Sequence, residues 1–499
     1  MLFSIVVFFT PFLLIILSEL LVRRQRVVAA AATPKGCRRI GLPARQSNIQ
    51  NEYDKVYSRG QPEDDIDEDG QPSWRIKALF IYPIKSCAGI ELDVADGVET
   101  GFVYDRQFCF AEHNITSRKG ADPAESDSPE WEFKTMRDRR YGLLALVRPE
   151  IWVPDPASPD YSSELEEVRS QGVLVVYYPR IVKGIWSLPV KVGMTLGLCA
   201  REKSFRVPLH PPLDNVNGDH GNNGHDNSNS NSNRHRYPSA RVRIWKDSPH
   251  AFDYGKHIPQ SLRDFLHSSA LSGSSAANYP PLSFFRADPA DYRKIFRCAP
   301  RKSTLGFQPL TAFADAYPLH MLNLASVRDI AARCASAIPC LSVRRFRANI
   351  IIQGPDAYAE DSWKRIRVVN RDHKHCLASA DLSKKNEQEE QQQPVNRKEK
   401  EEEEEEEEDA IEIYTSCRTV RCRLPNVDPD TGIRHPAEPD RTLKSFRRID
   451  AGDPNNACLG MQLVPAVPRF TLHVGDKISV VETGEHFYIR MFAPGEVVG

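Results

Sequence analysis

The first residues of the chain form an apolar run that is long enough to cross a bilayer. Leu2 to Val22 is largely apolar and contains a single charged residue, Glu19. About 20 residues of helix, each rising 1.5 Å, cross a hydrocarbon core of about 30 Å. The run therefore restricts the amino terminus to a membrane-spanning helix or a cleaved secretory signal.

The basic residues around this run distinguish the two interpretations. Arg23, Arg24 and Arg26 follow the run, whereas a secretory signal carries its basic residues before the apolar stretch. The positive-inside bias then keeps the carboxyl-terminal side in the cytosol. We therefore expect residues 1–26 to be an uncleaved, single-pass transmembrane anchor that carries a cytosolic domain.

The composition changes along the rest of the chain. Residues 27–73 are mostly polar and turn-rich without apolar periodicity, which predicts a disordered tether. From Trp74 onwards, short β-branched and aromatic runs alternate with Gly and Asp, as in strands joined by turns. Further strands are expected in YGLLALVRP, GVLVVYYP, VRIWKDS, RFRANIIIQ and KISVVE, and helices in SLRDFLHSS and LASVRDIAARCASA. These patterns predict an α+β protein that is mostly β, beginning with a β-barrel or meander.

Two segments interrupt the folded part. Residues 213–235 mix Asn, Gly, Ser and His, and residues 384–409 are rich in Gln and Glu, with eight consecutive glutamates from Glu401. Neither segment can bury enough apolar surface to offset its ordering entropy. We expect both to be disordered insertions, the second of them acidic.

The charge balance and the cysteines restrict the partners. Lys plus Arg number 66 against 67 for Asp plus Glu, so no global charge favours nucleic acid. The 11 cysteines are scattered through a long chain, which favours a reducing compartment. No C-x-x-C motif occurs, and no flavin, haem, nicotinamide or iron–sulfur motif is visible. Any electrons that the protein uses must come from another protein.

The densest candidate site is the segment SCRTVRCRLPNVDPDTG. Cys417 and Cys422 lie among Arg418, Arg421 and Arg423. Nearby guanidinium groups are expected to lower the pKa of a thiol and favour the thiolate, which binds metals and attacks electrophiles. The segment therefore predicts a reactive cysteine.

Other interpretations of these thiols stay open on the residue pattern alone. Both thiols could be buried and inert, or they could form a zinc site with His373, His375 or Cys376. Asp430-Thr431-Gly432 matches the tripeptide of aspartic proteases, but that chemistry needs two such aspartates and the chain has no second copy. A turn built by Pro429 and Gly432 explains the tripeptide better.

A second candidate site lies near the start of the folded region. Lys85 and Ser86 stand where a strand gives way to a turn in YPIKSCAG, and Arg106 follows in YDRQF. An ammonium group, a hydroxyl and a guanidinium can together donate hydrogen bonds to a phosphate. Exposed Lys and Arg usually serve only as solvated surface, so the pattern alone is weak.

Several long motifs resemble one family. YPIKSCAGIEL followed by YDRQF is similar to the amino-terminal barrel signature of MOSC proteins, and FRANIIIQGPDAYAEDSWKRIRV with CRTVRCRLPNVDPDTG resembles the catalytic half of the mitochondrial amidoxime-reducing components. The resemblance implies a MOSC N-terminal β-barrel domain at residues 74–268 and a mixed MOSC domain at residues 300–494. The two insertions then fall one in each domain.

The same resemblance implies a cofactor and its ligands. Cys422 would bind the molybdenum of a molybdenum–molybdopterin cofactor and be the catalytic residue, with Cys417 as the less favoured alternative. The pterin and its phosphate would be bound by six donors: Lys85, Ser86, Arg106, Arg347, Asn349 and Arg421. A soft thiolate suits a transition metal, and arginines suit phosphate.

The activity expected by resemblance is reduction of small N-hydroxylated substrates. The electrons would come from a cytochrome b5 and its reductase, and the mitochondrial outer membrane is favoured over the endoplasmic reticulum. The alternative is a MOSC sulfur carrier that accepts persulfide from a pyridoxal-phosphate-dependent sulfurase. A non-catalytic membrane scaffold is a third possibility, which the retained thiol, lysine and arginines disfavour.

Overall fold

The computed structural model of the protein describes most of the folded region. The described residues are 15–16, 19, 33–43, 45–59, 74–113, 131–182, 184, 187–196, 198–211, 237–268, 279–369 and 410–489. The predicted anchor, apart from Ile15, Ile16 and Glu19, and both predicted insertions lie outside them. Within the described part of the chain, no helix is long and apolar enough to span a membrane.

Strands dominate the described residues. In chain order they are β1 Cys37–Arg39, β2 Arg75–Ile81, β3 Ile90–Leu92, β4 Val94–Val98, β5 Gly101–Phe102, β6 Phe108–His113, β7 Trp131–Phe133, β8 Arg148–Pro154, β9 Val173–Pro179, β10 Glu202–Pro208, β11 Ser239–Arg243, β12 His250–Asp253, β13 Leu282–Ala287, β14 Arg293–Lys294, β15 Leu310–Thr311, β16 Leu319–Asn323, β17 Ile350–Gln353, β18 Trp363–Val369, β19 Ile411–Arg421, β20 Ala457–Pro465, β21 Phe470–His473 and β22 Lys477–Thr483.

Helices are few and short. The α-helices are α1 Glu166–Arg169, α2 Ser187–Thr195, α3 Gln260–His267, α4 Lys302–Leu305, α5 Leu324–Arg333 and α6 Asp440–Phe446. Turns of 3-10 helix occur at Lys55–Arg59, Arg139–Leu146, Gly255–His257, Pro289–Asp291, Val343–Phe346, Ala359–Ser362 and Leu424–Asn426. The protein is therefore mostly β, as the sequence predicts.

The chain divides into two compact units. The first comprises Met1–Ile40, Val147–Pro238 and Lys256–Ser268. Its centre is a four-stranded sheet in the order β1-β8-β9-β10, with antiparallel pairing throughout. Tyr178 on β9 packs against Phe265 of α3 and shares a 2.7 Å hydrogen bond with Ser261. The amphipathic face of α3 is thus buried, as its apolar spacing predicts.

The second unit comprises Gly41–Leu146, Ser239–Gly255 and Ser269–Gly499. It contains a closed barrel with the strand order β11-β12-β13-β6-β7. It also contains an eight-stranded sheet in the order β17-β16-β20-β19-β18-β22-β2-β3, in which β17 pairs with β2 as well. The barrel-like amino-terminal part expected from the sequence is therefore present.

Apolar side chains of distant segments form the cores of this unit. One cluster, which includes residues of the barrel strands, contains Cys109, Val242, Phe285 and Phe313, all fully buried. A second cluster joins α5 to the eight-stranded sheet through residues such as Leu322, Val327 and Ile351. A smaller third cluster contains Ile295, Tyr317, Cys417 and Val464. These cores hold the loops between strands in place, and those loops carry the candidate site.

The predicted elements agree with the structure except in four places. RFRANIIIQ is a strand only from Ile350, because Val343–Phe346 forms 3-10 helix, and VRIWKDS is a strand only as far as Arg243. The run YGLLALVRP is a strand only from Arg148, because Arg139–Leu146 forms 3-10 helix in which Tyr141 is buried against Glu112. Short apolar runs do not distinguish buried strands from helical turns. Part of the predicted tether is also ordered: β1 pairs with β8, and the Glu52 carboxylate accepts hydrogen bonds from Ser342 and Val343. Such long-range contacts leave no trace in local composition.

Candidate functional site

One pocket of the second unit brings together all of the predicted site residues. Its lining includes Lys85, Ser86, Arg106, Arg347, Asn349, Arg421 and Cys422. These residues come from the loops after β2 and β5, from the segment between α5 and β17, and from the end of β19. The pocket therefore brings together four cationic side chains, one side-chain amide, one hydroxyl and one thiol.

Lys85 and Ser86 occupy the turn after β2. The backbone N–H of Lys85 donates to Phe108 O over 2.8 Å, which ties the turn to β6. The buried Lys85 Nζ donates to Phe313 O over 2.8 Å and to Asp315 Oδ1 over 2.6 Å. Burial lowers the pKa of Lys85, and Asp315 opposes that shift. The turn thus holds one ammonium group at the pocket wall.

Arg106, Asn349 and Arg347 form a second, interlocked group. Arg106 Nη1 donates to Asp105 Oδ2 over 2.6 Å and to Asn349 Oδ1 over 2.9 Å, and its Nη2 donates to Arg347 O over 2.9 Å. The guanidinium groups of Arg106 and Arg347 lie 4.6 Å and 4.2 Å from the centroid of the Tyr82 ring. Burial lowers the pKa of Arg347 to about 10, so this group stays cationic at neutral pH.

Arg421, at the end of β19, is oriented by His320 on β16. Its Nε and Nη1 donate to Leu459 O and Phe346 O over 2.9 Å and 3.2 Å. Its Nη2 lies 2.6 Å from His320 Nε2, which therefore serves as the acceptor. Burial, followed by the nearby Arg421 charge, lowers the pKa of His320 well below its usual range. His320 is thus a neutral residue that positions Arg421.

The expectation for the thiol of Cys422 is wrong in one respect. The sequence predicted that the neighbouring arginines would lower its pKa. Instead burial raises the pKa of Cys422, with Arg137 and then Arg421 among the opposing influences. Desolvation of the thiolate exceeds the attraction of the cations here. Cys417 lies elsewhere: it is fully buried in the small cluster with Ile295 and Val464 and does not line the pocket.

Several lining residues were not predicted. The lining also includes Asp315, Tyr317, His320, Trp245, Arg137 and Tyr488. Trp245 Nε1 lies 3.3 Å from Asp315 Oδ1, and the Arg137 guanidinium lies 4.6 Å from the centroid of the Trp245 ring. They come from separate segments without a shared motif. Only their positions in the fold identify them.

The pocket has hydrogen-bonding groups to spare for an anionic, polar molecule. Arg347 Nη2, Arg418 Nε and Thr419 Oγ1 are buried without a hydrogen-bond partner among the described residues. Buried polar groups are normally paired, so these three groups are available to a ligand or a water in the pocket. The described residues contain no group of three or more His, Cys, Asp or Glu side chains that could hold a metal ion. A metal at Cys422 would thus need most of its ligands from a cofactor. His373, His375 and Cys376 of the alternative zinc site lie outside the described residues.

Comparison with known proteins agrees with this architecture. A MOSC N-terminal beta barrel domain matches residues 73–152, and a MOSC domain matches residues 309–406. The second match ends before β19, so Cys422 lies beyond it. The predicted domain boundaries are wider than these matches and stay predictions.

Individual relatives point the same way. Mitochondrial amidoxime-reducing component 1 of Mus musculus is 29% identical over 380 residues, which cover 76% of this chain and 73% of the relative. Its Homo sapiens counterpart is 28% identical over 171 residues, which cover 34% of this chain and only 38% of the relative. A Molybdenum cofactor sulfurase of Botryotinia fuckeliana is 22% identical over 445 residues, which cover 83% of this chain and 43% of that protein. The chain therefore contains segments that match both MOSC domain models, and it is similar to mitochondrial amidoxime-reducing components along much of its length.

Proposed function

We propose that this chain is a molybdenum-cofactor oxidoreductase that reduces small N-hydroxylated substrates. The observation that carries the proposal is the convergence of a thiol, an ammonium group and buried guanidinium groups on one pocket of a MOSC protein. A molybdopterin offers a phosphate, a polar ring system and a thiophilic metal. Each of these has a chemical counterpart among the pocket side chains.

The donor set fits the anionic part of such a cofactor. Lys85, Arg106 and Arg347 would bind the phosphate, because charge-assisted hydrogen bonds from ammonium and guanidinium groups are the strong ones. Ser86, Asn349 and Arg421 would orient the ring system. The buried, unpaired Arg347 Nη2 and Thr419 Oγ1 provide donors that the protein itself does not use.

Cys422 would hold the metal. Burial alone favours its neutral thiol, but a bound metal cation removes the proton from a coordinating thiol. Arg137 and Arg421 would then offset part of the thiolate's desolvation. When bound, the molybdenum centre would supply the two-electron chemistry that reduces an N–O bond. The chain's own residues would bind the cofactor, exclude water and position Arg421 through His320.

We propose that the electrons come from a cytochrome b5 and its reductase. The proposal rests on the family resemblance and on the lack of any other visible redox motif in the sequence. The purified protein, supplied with both partners and a nicotinamide donor, should reduce an N-hydroxylated amidine. Omission of the cytochrome should stop the reaction. A reaction that proceeds at the full rate without it would rule this partner out.

Two serine variants test the proposed metal ligand. Cys422→Ser replaces a soft thiolate by a hard hydroxyl, so molybdenum content and reduction of N-hydroxylated compounds should fall by more than about 10-fold, the loss typical of even an outer-shell partner. Cys417→Ser is the matched control, because it removes a thiol that lies on β19, five residues before Cys422, and does not line the pocket. Its molybdenum content should stay near that of the unchanged protein. Retained molybdenum in the Cys422 variant would refute this role of Cys422.

The second candidate function is a sulfur carrier that accepts persulfide from a pyridoxal-phosphate-dependent sulfurase. The similarity to a molybdenum cofactor sulfurase along 83% of this chain favours it. Elemental analysis of protein from a cofactor-competent host separates the two functions. About one molybdenum per chain supports the oxidoreductase, whereas a persulfide without molybdenum supports the carrier.

We further propose that residues 1–26 anchor the protein in a membrane, with the mitochondrial outer membrane favoured and the folded units in the cytosol. The apolar run, the arginines after it and the mitochondrial names of several relatives support this. Protease added to intact organelles should then release the catalytic part. Asn114-Ile115-Thr116 is a glycosylation sequon and serves as an internal reporter of topology. A glycosidase-sensitive shift in mobility would reverse the proposed orientation.

A further inference from the structure

A pair of cysteines lies behind one wall of the pocket. Cys417 on β19 is completely buried in the cluster of Ile295, Tyr317 and Val464, and Cys298 packs against the same cluster. Cys298 lies between β14 and α4 and is partly exposed. The two residues are 119 positions apart in sequence and reach one cluster only through the fold.

Several groups hold the sulfur of Cys298 in a fixed environment. The N–H of Ile489 donates to Cys298 Sγ over 3.4 Å, and in its thiol form Cys298 can donate to Phe487 O at 3.5 Å. The hydroxyl of Tyr317 donates to Arg297 O over 2.6 Å beside them. Cys298 also has a φ of +51°, a left-handed conformation that is costly for a residue with a side chain. The surrounding contacts therefore fix this thiol in place.

The pKa of one of the two thiols is lowered and that of the other is raised. The hydrogen bond from Cys417, aided by the N–H of Ile489, by Tyr317 and by the charge of Arg297, lowers the pKa of Cys298 to about 6 although burial opposes this. The same hydrogen bond, together with burial, raises the pKa of Cys417 well above its usual range. Asp450, whose charge also raises the pKa of Cys417, and Tyr488 are further titratable groups beside this pair. Cys298 is thus the thiolate and Cys417 the thiol.

We propose that Cys298 and Cys417 form a thiol–disulfide exchange site that reacts with small disulfides such as oxidised glutathione. Cys298 is the attacking residue because it is partly exposed, and Cys417 is the resolving residue because it is completely buried in the cluster against which Cys298 packs. This site is separate from Cys422, which lines the pocket and is absent from the cluster.

The reaction balances in two steps. First the Cys298 thiolate attacks one sulfur of glutathione disulfide, forms a mixed disulfide and releases one glutathione thiolate. Then Cys417 attacks Cys298 Sγ, its proton passes to the departing glutathione sulfur, and the second glutathione leaves as its thiol, which leaves a Cys298–Cys417 disulfide. The two cysteines are oxidised by two electrons, and one glutathione disulfide is reduced to two glutathiones.

The site is connected to the pocket through its neighbours. Cys417 precedes Arg418, which lines the pocket, and Tyr317 belongs both to the cluster and to the lining. Phe487 and Ile489, whose backbones contact Cys298, flank Tyr488, another lining residue. A disulfide would therefore restrain three side chains of the pocket wall, so ligand binding there should depend on the redox state.

Peptide mapping by mass spectrometry tests the site directly in the full-length protein. After incubation with glutathione disulfide, the unchanged protein should contain a Cys298–Cys417 crosslink. In Cys417→Ser the first step should proceed and the second fail, so glutathione should accumulate on Cys298. Cys298→Ser should show neither product. Cys340→Ser, which removes an exposed cysteine elsewhere, should leave the crosslink unchanged.

A second measurement follows the Cys298 thiolate. The rate of its alkylation by iodoacetamide should follow a titration with a midpoint near pH 6, about 2.5 units below that of an ordinary thiol. Cys417→Ala, which removes the hydrogen-bond donor, should move the midpoint upwards. The proposal is overturned if the unchanged protein keeps glutathione on Cys298 without forming the crosslink, if no product forms at Cys298, or if the alkylation midpoint lies where ordinary thiols titrate.

Discussion

Several residues that line the pocket share an unusual backbone conformation, a positive φ angle. Ser86, Arg106, Trp245 and Arg347 line the pocket, and each has a φ between +48° and +68°. Residues other than glycine occupy this left-handed region at a cost of roughly 1 to 3 kcal/mol, and such residues cluster at functional sites. Half of the eight non-glycine residues with positive φ in the described part of the chain thus belong to one pocket. The concentration supports a binding role for this pocket.

Arg347 provides a residue-scale test of cofactor binding. Its Nη1 donates to Cys87 O over 2.5 Å, while its buried Nη2 has no partner among the described residues. Arg347→Lys keeps the positive charge. It cannot place donors at the positions of both Nη1 and Nη2, because an ammonium group lacks the planar fork of a guanidinium. Loss of one charge-assisted hydrogen bond should weaken cofactor retention by about 1.5 to 3 kcal/mol, roughly 10-fold or more. Molybdenum content after extended dialysis measures the effect.

A neighbouring arginine supplies the control for this change. Arg344 lies in the same short segment but pairs with the exposed Asp430 at the surface. Arg344→Lys should therefore leave molybdenum content nearly unchanged, since exposed ion pairs contribute little. Equal losses in both variants would show that the segment acts only through folding.

The element scale shows what the sequence could and could not predict. Strands such as β9, β17 and β22 follow from β-branched runs, and the seven site residues followed from long motifs shared with a family. The lining residues Asp315, His320 and Tyr488 did not, because each belongs to a segment whose local pattern reads only as strand or loop. The pKa of Cys422 was also misjudged, since sequence shows neighbouring charges but not the depth of burial. Local patterns thus predict elements, whereas contacts between distant elements decide the chemistry.

Glu360 links the 3-10 turn before β18 to the start of α5, and it provides a prediction about the pH dependence of stability. Its buried carboxylate accepts hydrogen bonds from Ser326 Oγ over 2.8 Å and from Asn323 Nδ2 over 3.1 Å. Burial, followed by the charge of Asp361, raises the pKa of Glu360 to about 7. A raised pKa in the folded state means that the stabilising effect is complete below the ordinary value of about 4.3 and is lost as the pH rises through about 7. The folded protein should therefore become less stable between these two pH values.

Glu360→Gln resembles the protonated form at every pH and should remove this dependence. Relative to the unchanged protein, the variant should gain on the order of 3 kcal/mol in the free energy of unfolding between pH 4 and pH 8. Chemical denaturation at several pH values measures the difference. Glu99→Gln, which changes an exposed carboxylate of the same unit, should run parallel to the unchanged protein. Parallel curves for Glu360→Gln as well would contradict the raised pKa.

At the scale of the whole molecule, the long acidic segment can be separated from the folded unit. Val368 on β18 pairs directly with Ile411 on β19, so the two strands meet across the gap at residues 370–409. An antiparallel pair of this kind can be closed by two residues, and Asn-Gly is the preferred sequence for the turn. The segment is therefore not needed to bring the strands together.

Replacement of residues 370–409 by Asn-Gly tests this division between fold and insertion. Each halving of a loop lowers its closure cost by about 0.6 kcal/mol, so the shortened chain should be more stable by roughly 2.5 kcal/mol. Molybdenum content should stay the same, because the seven candidate site residues lie outside the removed segment. Thermal unfolding and elemental analysis of the two proteins measure both quantities.

Replacement by a flexible Gly/Ser segment of the original length is the matched control, since it keeps the loop length and removes only the acidic sequence. A lower melting temperature for both altered proteins would mean that the native segment makes contacts that stabilise the fold. Unchanged stability with altered turnover in both would assign the glutamates a role in partner access.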